Sequence, residues 1–142
     1  MPEPVTSAVD VEVRYIETDQ MGHVHHANYV AWFELARTRF CADAGIPYPA
    51  IEALGYLLVV TAVEVRYRQP AYYGDVVTIS ARIAELASRR MRFAYEVRRG
   101  ADLLATGATE HFWVEREGRR PVRMPEALRE PFARLAGAAP SS

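Results

Sequence analysis

A single stretch of helical period set among strand periods restricts the folds open to this chain more than any other feature. From Tyr29, apolar residues recur at Trp32, Phe33, Ala36 and Phe40. That spacing marks one face of a helix of four or five turns. Gly45 then supplies a residue suited to a helix end, and Pro47 and Pro49 prevent continuation. Elsewhere a period of two dominates. Val11, Val13 and Tyr15 alternate with Glu12 and Arg14, and Val63, Val65 and Tyr67 alternate with Glu64, Arg66 and Arg68 within a run from Leu57. Val77, Ile79, Ala81 and Ile83 make a third strand, and Met91, Phe93, Tyr95 and Val97 a fourth. Gly100-Ala101-Asp102 reads as a hairpin turn, and Leu103 to Glu115 as the last long strand. Leu128, Phe132 and Leu135 predict a short C-terminal helix, interrupted or begun at Pro131, with residues 137–142 expected to fray.

The order is therefore strand, long helix, then about four strands. A helix with one apolar face must bury it, and a sheet can cover it, so the expected class is α+β: one long helix wrapped by a curved antiparallel sheet of about five strands. Such a sheet has open edges, and pairing with a second copy is an economical way to close them.

The chain has 142 residues, half of them hydrophobic, and no repeat or linker divides it. We expect one domain over 1–142, with its core at about 9–117. The net charge of −1 argues against a general nucleic-acid binder. No apolar run approaches the roughly 18 residues of a membrane span. Met1-Pro2-Glu3-Pro4 has neither the basic nor the apolar region of a signal peptide. The lone Cys41 cannot form an internal disulfide, so a reducing cytoplasm is the expected compartment.

Polar chemistry concentrates between Tyr15 and Glu34. Asp19 lies in a loop with Gly22, and three of the chain's four histidines, His23, His25 and His26, follow at once. The helix begins at about Asn28. A carboxylate beside a helix amino end suits hydrolysis, because free backbone N–H groups can stabilise an oxyanion while the carboxylate attacks or activates water. The plainer alternative is that Asp19 only organises a turn with Thr18 and Gly22. A metal reading is weaker, because H-x-H-H lacks the spacing of a helical zinc pair and neighbouring residues of an extended loop point apart. His111, alone on a strand, reads as a core or interface residue. Glu34 reads as a surface partner of Arg37, three residues on.

The segment E-T-D-Q-M-G-H-V-H-H-A-N-Y-V (17–30), the helix F-E-L-A-R-T-R-F (33–40) and V-E-V-R-Y-R-Q-P-A-Y-Y-G-D (63–75) resemble the hotdog-fold acyl-CoA thioesterases of the 4-hydroxybenzoyl-CoA thioesterase type. The nearest branch is the short-chain acyl-CoA thioesterases associated with the Tol–Pal gene cluster, whose His-Ala pair matches His26-Ala27. With the strand order, the resemblance covers roughly residues 9 to 117. It implies a dimer or a tetramer, with active sites at subunit interfaces. It also implies hydrolysis of an acyl-CoA thioester without a metal or redox cofactor, coenzyme A being part of the substrate and product. Asp19 falls on the family's catalytic aspartate, as base or nucleophile. His26 falls where the family places a backbone N–H that polarises the thioester carbonyl, and its ring is a second candidate for positioning. Gly22, His25, Asn28 and Tyr29 complete the expected substrate contacts. His25 stands where relatives are often aromatic, and His23 where they are often apolar, which bears on the acyl pocket.

All 17 basic residues are arginine, and guanidinium forks suit the phosphates of coenzyme A. Arg66, Arg68, Arg89 and Arg90 are the expected phosphate contacts, each weighed against a solvated strand face. Two rivals share the fold: a hydratase or dehydratase using Asp19 with His26 as the acid/base pair, and a non-catalytic acyl-CoA binder. A binder has no need of a carboxylate beside a thioester.

Overall fold

Helix α1 (Asn28–Asp43) is built on the stripe the sequence predicts. Tyr29, Trp32, Phe33, Ala36 and Phe40 are all buried. The computed structural model describes residues 4–137, so the frayed tail expected at 137–142 lies, apart from Gly137, outside the described residues. Five antiparallel strands form one sheet in the order β1-β3-β4-β5-β2. They are β1 (Ser7–Glu12), β2 (Tyr56–Tyr67), β3 (Val76–Leu86), β4 (Arg90–Arg99) and β5 (Asp102–Glu115). The inward residues of β3 and β4 are those the alternation marks, from Val77 to Ile83 and from Met91 to Val97. Phe33 stacks on Tyr95 with ring centroids 4.4 Å apart, and Phe40 meets Phe93 edge-on. Burying each such aromatic ring contributes on the order of 2–3 kcal/mol. One core draws on residues from Val13 to Phe132.

Three features differ from expectation. The first strand ends at Glu12, and Tyr15 lies in a 3-10 turn (Tyr15–Glu17). The Glu17 carboxylate accepts the Arg14 N–H, and the Glu17 and Thr18 N–H groups bond to the carbonyls of Arg14 and Tyr15. These local bonds offer the backbone an alternative to the sheet. Secondly, α1 is not the one helix. After Gly45 the prolines that stop it start another, α2 (Tyr48–Ala53), with Pro49 in its first turn, where a missing N–H costs nothing. Thirdly, α3 (Glu126–Leu135) runs through Pro131 and begins five residues before it. Leu128 and Phe132 are buried, and Phe132 packs on Trp113, which outweighs the lost bond.

Strand β2 is a sheet edge of 12 residues with Val59, Val60, Val63 and Tyr67 exposed on it. Register shifts at Val60/Ala62 in β2, Ile83/Glu85 in β3 and Val97/Arg98 in β4 bend the strands. No helix among the described residues is long and apolar enough to cross a membrane.

Candidate active site

The polar segment is assembled around Glu17. This side chain is buried, with one oxygen accepting the Arg14 N–H at 2.8 Å and the other the Trp32 indole N–H at 3.2 Å. Burial pushes its carboxyl up, but the bonds from Arg14 and Trp32 outweigh that and hold it below the usual carboxylate range. Its carbonyl accepts the His25 N–H at 2.7 Å and the Asn28 side-chain amide at 2.9 Å. Glu17 thus ties both ends of the Asp19 loop to the first turn of α1.

Within the loop, Asp19 Oδ1 accepts the N–H groups of Met21 and His23 at 2.9 and 3.1 Å. The Asp19 N–H bonds to the His23 carbonyl, and the Asp19 carbonyl accepts the Gly22 N–H. Gly22 has φ +81°, a conformation that side chains rarely adopt. The turn-forming role is therefore real, but it uses only one carboxylate oxygen. Among the described residues Oδ2 has no hydrogen-bond partner, and Asp19 is exposed.

Ala27 is the N-cap of α1 and supplies no side-chain cap. The first turn is closed from outside instead. Asn28 reaches back to the carbonyls of Glu17 and His25. Tyr67, the last residue of β2, donates its hydroxyl to the His26 carbonyl at 2.9 Å and meets the Tyr29 ring edge-on. The backbone N–H of Asn28, Tyr29 and Val30 are spent on the carbonyls of His25, His26 and Ala27. The His26 N–H has no partner among the described residues.

Asp19, His26 and Tyr29 line one cleft of about 280 Å³, with His23 on the loop side and Tyr67, Arg68 and Gln69 on the other. The structure thus brings together Asp19, His26, Tyr29 and Arg68 from the predicted set. Arg68 has no carboxylate partner among the described residues. His25 is stacked on His26, its centroid 4.2 Å away, and its Nδ1 accepts the Ala27 N–H. His25, Gly22 and Asn28 shape the cleft's frame and do not line it. Arg66 is turned onto Glu64, and Arg90 pairs with Glu85 and Glu110. Arg89 and Arg90 sit where β4 begins, opposite Phe112, whereas Tyr67 faces Ala105. Seven residues of β5 separate the two ends, roughly 23 Å. Within one chain these three arginines are not brought to the cleft.

Tyr67 and Gln69 were not singled out from the sequence. The signal for Tyr67 was its alternation with Arg66, on the side of β2 shared by Val63 and Val65. Glu34 does not pair with Arg37. Arg37 is buried and bonds to the hydroxyls of Tyr48 and Tyr95, because it stands one turn from Phe33 and Phe40 on the inner face. Among the described residues no three His, Cys, Asp or Glu side chains are grouped so as to hold a metal ion.

A profile described as the thioesterase-like superfamily matches residues 13–132. The Bacillus subtilis (strain 168) protein YneP, whose name assigns it provisionally to the acyl-CoA thioesterases, is 34% identical over 123 residues, 86% of this chain and 89% of that protein. A hypothetical protein of Thermus thermophilus, TT1821, has a crystal structure with a TM-score of 0.86 and 40% identity, over 92% of this chain and 98% of that one. The DHNA-CoA thioesterase of Staphylococcus aureus superposes with a TM-score of 0.87 at 28% identity, over 93% and 91% of the two chains. The α+β arrangement of these neighbours is the hotdog architecture.

Proposed function

The chain belongs to the thioesterase-like superfamily, and from that premise we propose that it hydrolyses an acyl-CoA thioester to the free acid and coenzyme A. One observation carries the reading. The unspent N–H of His26 and the unspent Oδ2 of Asp19 belong to residues that line the same cleft. In this mechanism the thioester carbonyl accepts the His26 N–H, with the positive end of the α1 dipole behind it. Water attacks the carbonyl carbon as its proton passes to Asp19, or Asp19 attacks first and water then cleaves the mixed anhydride. On the first route the oxyanion collapses, the carbon–sulfur bond breaks, and the thiolate of coenzyme A takes up the proton from Asp19; on the second, collapse expels the thiolate as the anhydride forms, and the thiolate takes up the proton later released by the attacking water. A thioester is already activated, so a carboxylate of ordinary basicity suffices.

Arg68, which lines the cleft and has no carboxylate partner among the described residues, is the first candidate for a phosphate of coenzyme A. Tyr29 closes the acyl side. Arg66, Arg89 and Arg90 reach a phosphate only across an interface. The long apolar edge of β2 supports a homo-oligomer, a dimer or a homotetramer, with sites completed between copies. The His26-Ala27 pair supports the Tol–Pal-associated branch as part of this reading, with a cytoplasmic location.

The test is release of free thiol from short, long and aromatic acyl-CoAs by wild type and by Asp19→Asn. Loss of at least about a hundredfold in turnover, with unchanged melting, is expected. Single turnover in 18O-labelled water then tests the nucleophilic role, since label in Asp19 requires a mixed anhydride opened by water at the Asp19 carbonyl. If no acyl-CoA is cleaved, or if Asp19→Asn is as active as wild type, the proposal fails and the hydratase or binding alternatives take its place.

A further inference from the structure

We propose that Tyr67 is a positioning residue for the oxyanion donor: its hydroxyl, anchored on β2, grips the His26 carbonyl and keeps the His26 N–H directed at the cleft. The inference rests on the function proposed above.

The argument starts from how the first turn of α1 is held. Helix amino ends fray unless a side chain caps them, and here the cap position is Ala27. The His26 N–H lies in the peptide plane that also carries the His25 carbonyl. That plane is fixed by two bonds to the His25 carbonyl, from the Asn28 N–H at 3.0 Å and the Asn28 side chain at 3.2 Å. The next plane, between residues 26 and 27, carries the His26 carbonyl. Its helical bond, from the Tyr29 N–H, is long at 3.3 Å. The Tyr67 hydroxyl at 2.9 Å is the shorter of the two bonds on that carbonyl. With both planes held, residue 26 has no free backbone rotation and its N–H keeps one direction. Both bonds on the first plane come from Asn28, which follows the second plane in the chain, and the second plane's other bonds, from the Tyr29 N–H and from the Ala27 N–H to His25 Nδ1, are long at 3.3 and 3.2 Å, so without the Tyr67 bond Asn28 can shift and the donor can swing.

The anchor is well chosen for this task. Tyr67 is the last residue of β2, paired with Ala105 of β5, so its backbone belongs to the sheet and not to the loop it steadies. Its ring is fixed edge-on against Tyr29, at 5.0 Å between centroids. The hydroxyl therefore bridges the sheet edge and the helix end across the wall of the cleft. Preorganised donors stabilise an oxyanion because they need not reorient during the reaction. Tyr67 does not have to touch the substrate to supply that, so its effect belongs in the rate of the chemical step.

The experiment is Tyr67→Phe, assayed for kcat and KM on the best acyl-CoA of the panel, with Asp19→Asn in parallel and with melting temperature and elution volume recorded. Ring and sheet contacts remain in Tyr67→Phe and only the hydroxyl is lost. We expect kcat to fall about tenfold, the equivalent of about 1.4 kcal/mol, with KM within twofold and with melting and oligomeric state unchanged. Tyr67→Leu, which also lacks the hydroxyl, is expected to show at least the same loss in kcat and serves if the first variant is poorly soluble. A kcat within twofold of wild type in either variant overturns the inference, as does a loss expressed only in KM. If Asp19→Asn is inactive while Tyr67→Phe is normal, the thioesterase site stands and only the role of Tyr67 falls. If Asp19→Asn is itself fully active, the site reading falls, and the inference with it.

Discussion

Helix α1 carries two polar networks, one at its amino end and one in its middle, and they are built on opposite plans. At the amino end, exposed groups are held by bonds from the loop and from β2, and two of them, Asp19 Oδ2 and the His26 N–H, have no partner among the described residues and belong to residues that line a cleft. Two turns on from Tyr29, the same helix buries Arg37. Its Nη1 donates to the Tyr95 hydroxyl at 3.1 Å, Tyr95 and Thr109 lie 2.6 Å apart, and Thr109 lies 2.8 Å from His111 Nε2. Arg37 can only donate. The arrangement with fewest unspent groups therefore runs Tyr95 to Thr109 to His111 Nε2, and places the imidazole proton on Nδ1. That Nδ1 has no partner among the described residues and is sealed from water. Burial, with the Arg37 charge behind it, pushes His111 down to about 3, so the ring is neutral. An unspent group facing a cleft is available to a ligand, whereas one enclosed in the core costs stability, roughly 1–3 kcal/mol. The difference between a site and a structural network is thus access, not the number of polar residues.

The largest effect is expected where the two regions share a support. Phe33 lies between them, its ring on Tyr95 and its edge over Gly107 of β5. A Cβ at Gly107 would run into the Phe33 ring and stand 2.7 Å from the Glu64 carbonyl. The ring cannot retreat, because Tyr95 stacks on its face. Gly107→Ala should therefore lift α1 from the sheet and cost about 3 kcal/mol, or on the order of 10 °C in melting temperature. Both networks should suffer, so kcat should fall too. Melting within about 3 °C of wild type, a margin of about 1 kcal/mol, would mean that the contact is soft and that the regions are not mechanically joined.

A smaller change should separate them. Tyr95→Phe keeps the stacked ring but leaves a buried guanidinium donor without its acceptor, at a cost of about 2 kcal/mol. Because Tyr95 does not line the cleft, thioester turnover should stay within twofold of wild type. A clear fall in kcat with little change in melting would erase the distinction between the two regions.

How far the sequence discloses each region follows from the range of its contacts. The α1 stripe, the inward sets of β3 and β4, and the Asp19 loop are local patterns, and each is legible from spacing alone. The Arg37 position was legible too, since it lies on the same helical face as Phe33 and Phe40, but its charge argued for the surface and won. Burial there depends on the hydroxyls of Tyr48 and Tyr95, which are 11 and 58 residues away. Tyr67 is 41 residues from the carbonyl it holds. No periodicity encodes such pairings. The turn at Tyr15 is hidden for a different reason, because a local bond from the Arg14 N–H to Glu17 competes with an alternation that favours strand.

His111 offers the most discriminating test of the buried network, although its expected effect is the smallest. In the folded chain the imidazole binds a proton only near pH 3, against an ordinary value of 6.5. Below about pH 6.5 the unfolded chain binds one more proton at this residue than the folded chain does. Stability must then fall as pH falls, by up to about 1.4 kcal/mol per pH unit from this group alone. Glu17, with its carboxyl held low, weakens the fold in the same direction, but only once the pH approaches the usual carboxylate range. Measurements above about pH 5 therefore isolate the imidazole. Urea midpoints between about pH 7 and pH 5 should decline for wild type and be flatter for His111→Gln, whose amide oxygen can still accept from Thr109. Turnover, extrapolated to fully folded protein, should be alike in the two. Parallel declines would show that His111 takes up its proton in the folded state, and so that water reaches the network; the contrast between an open amino end and a closed middle of α1 would then disappear.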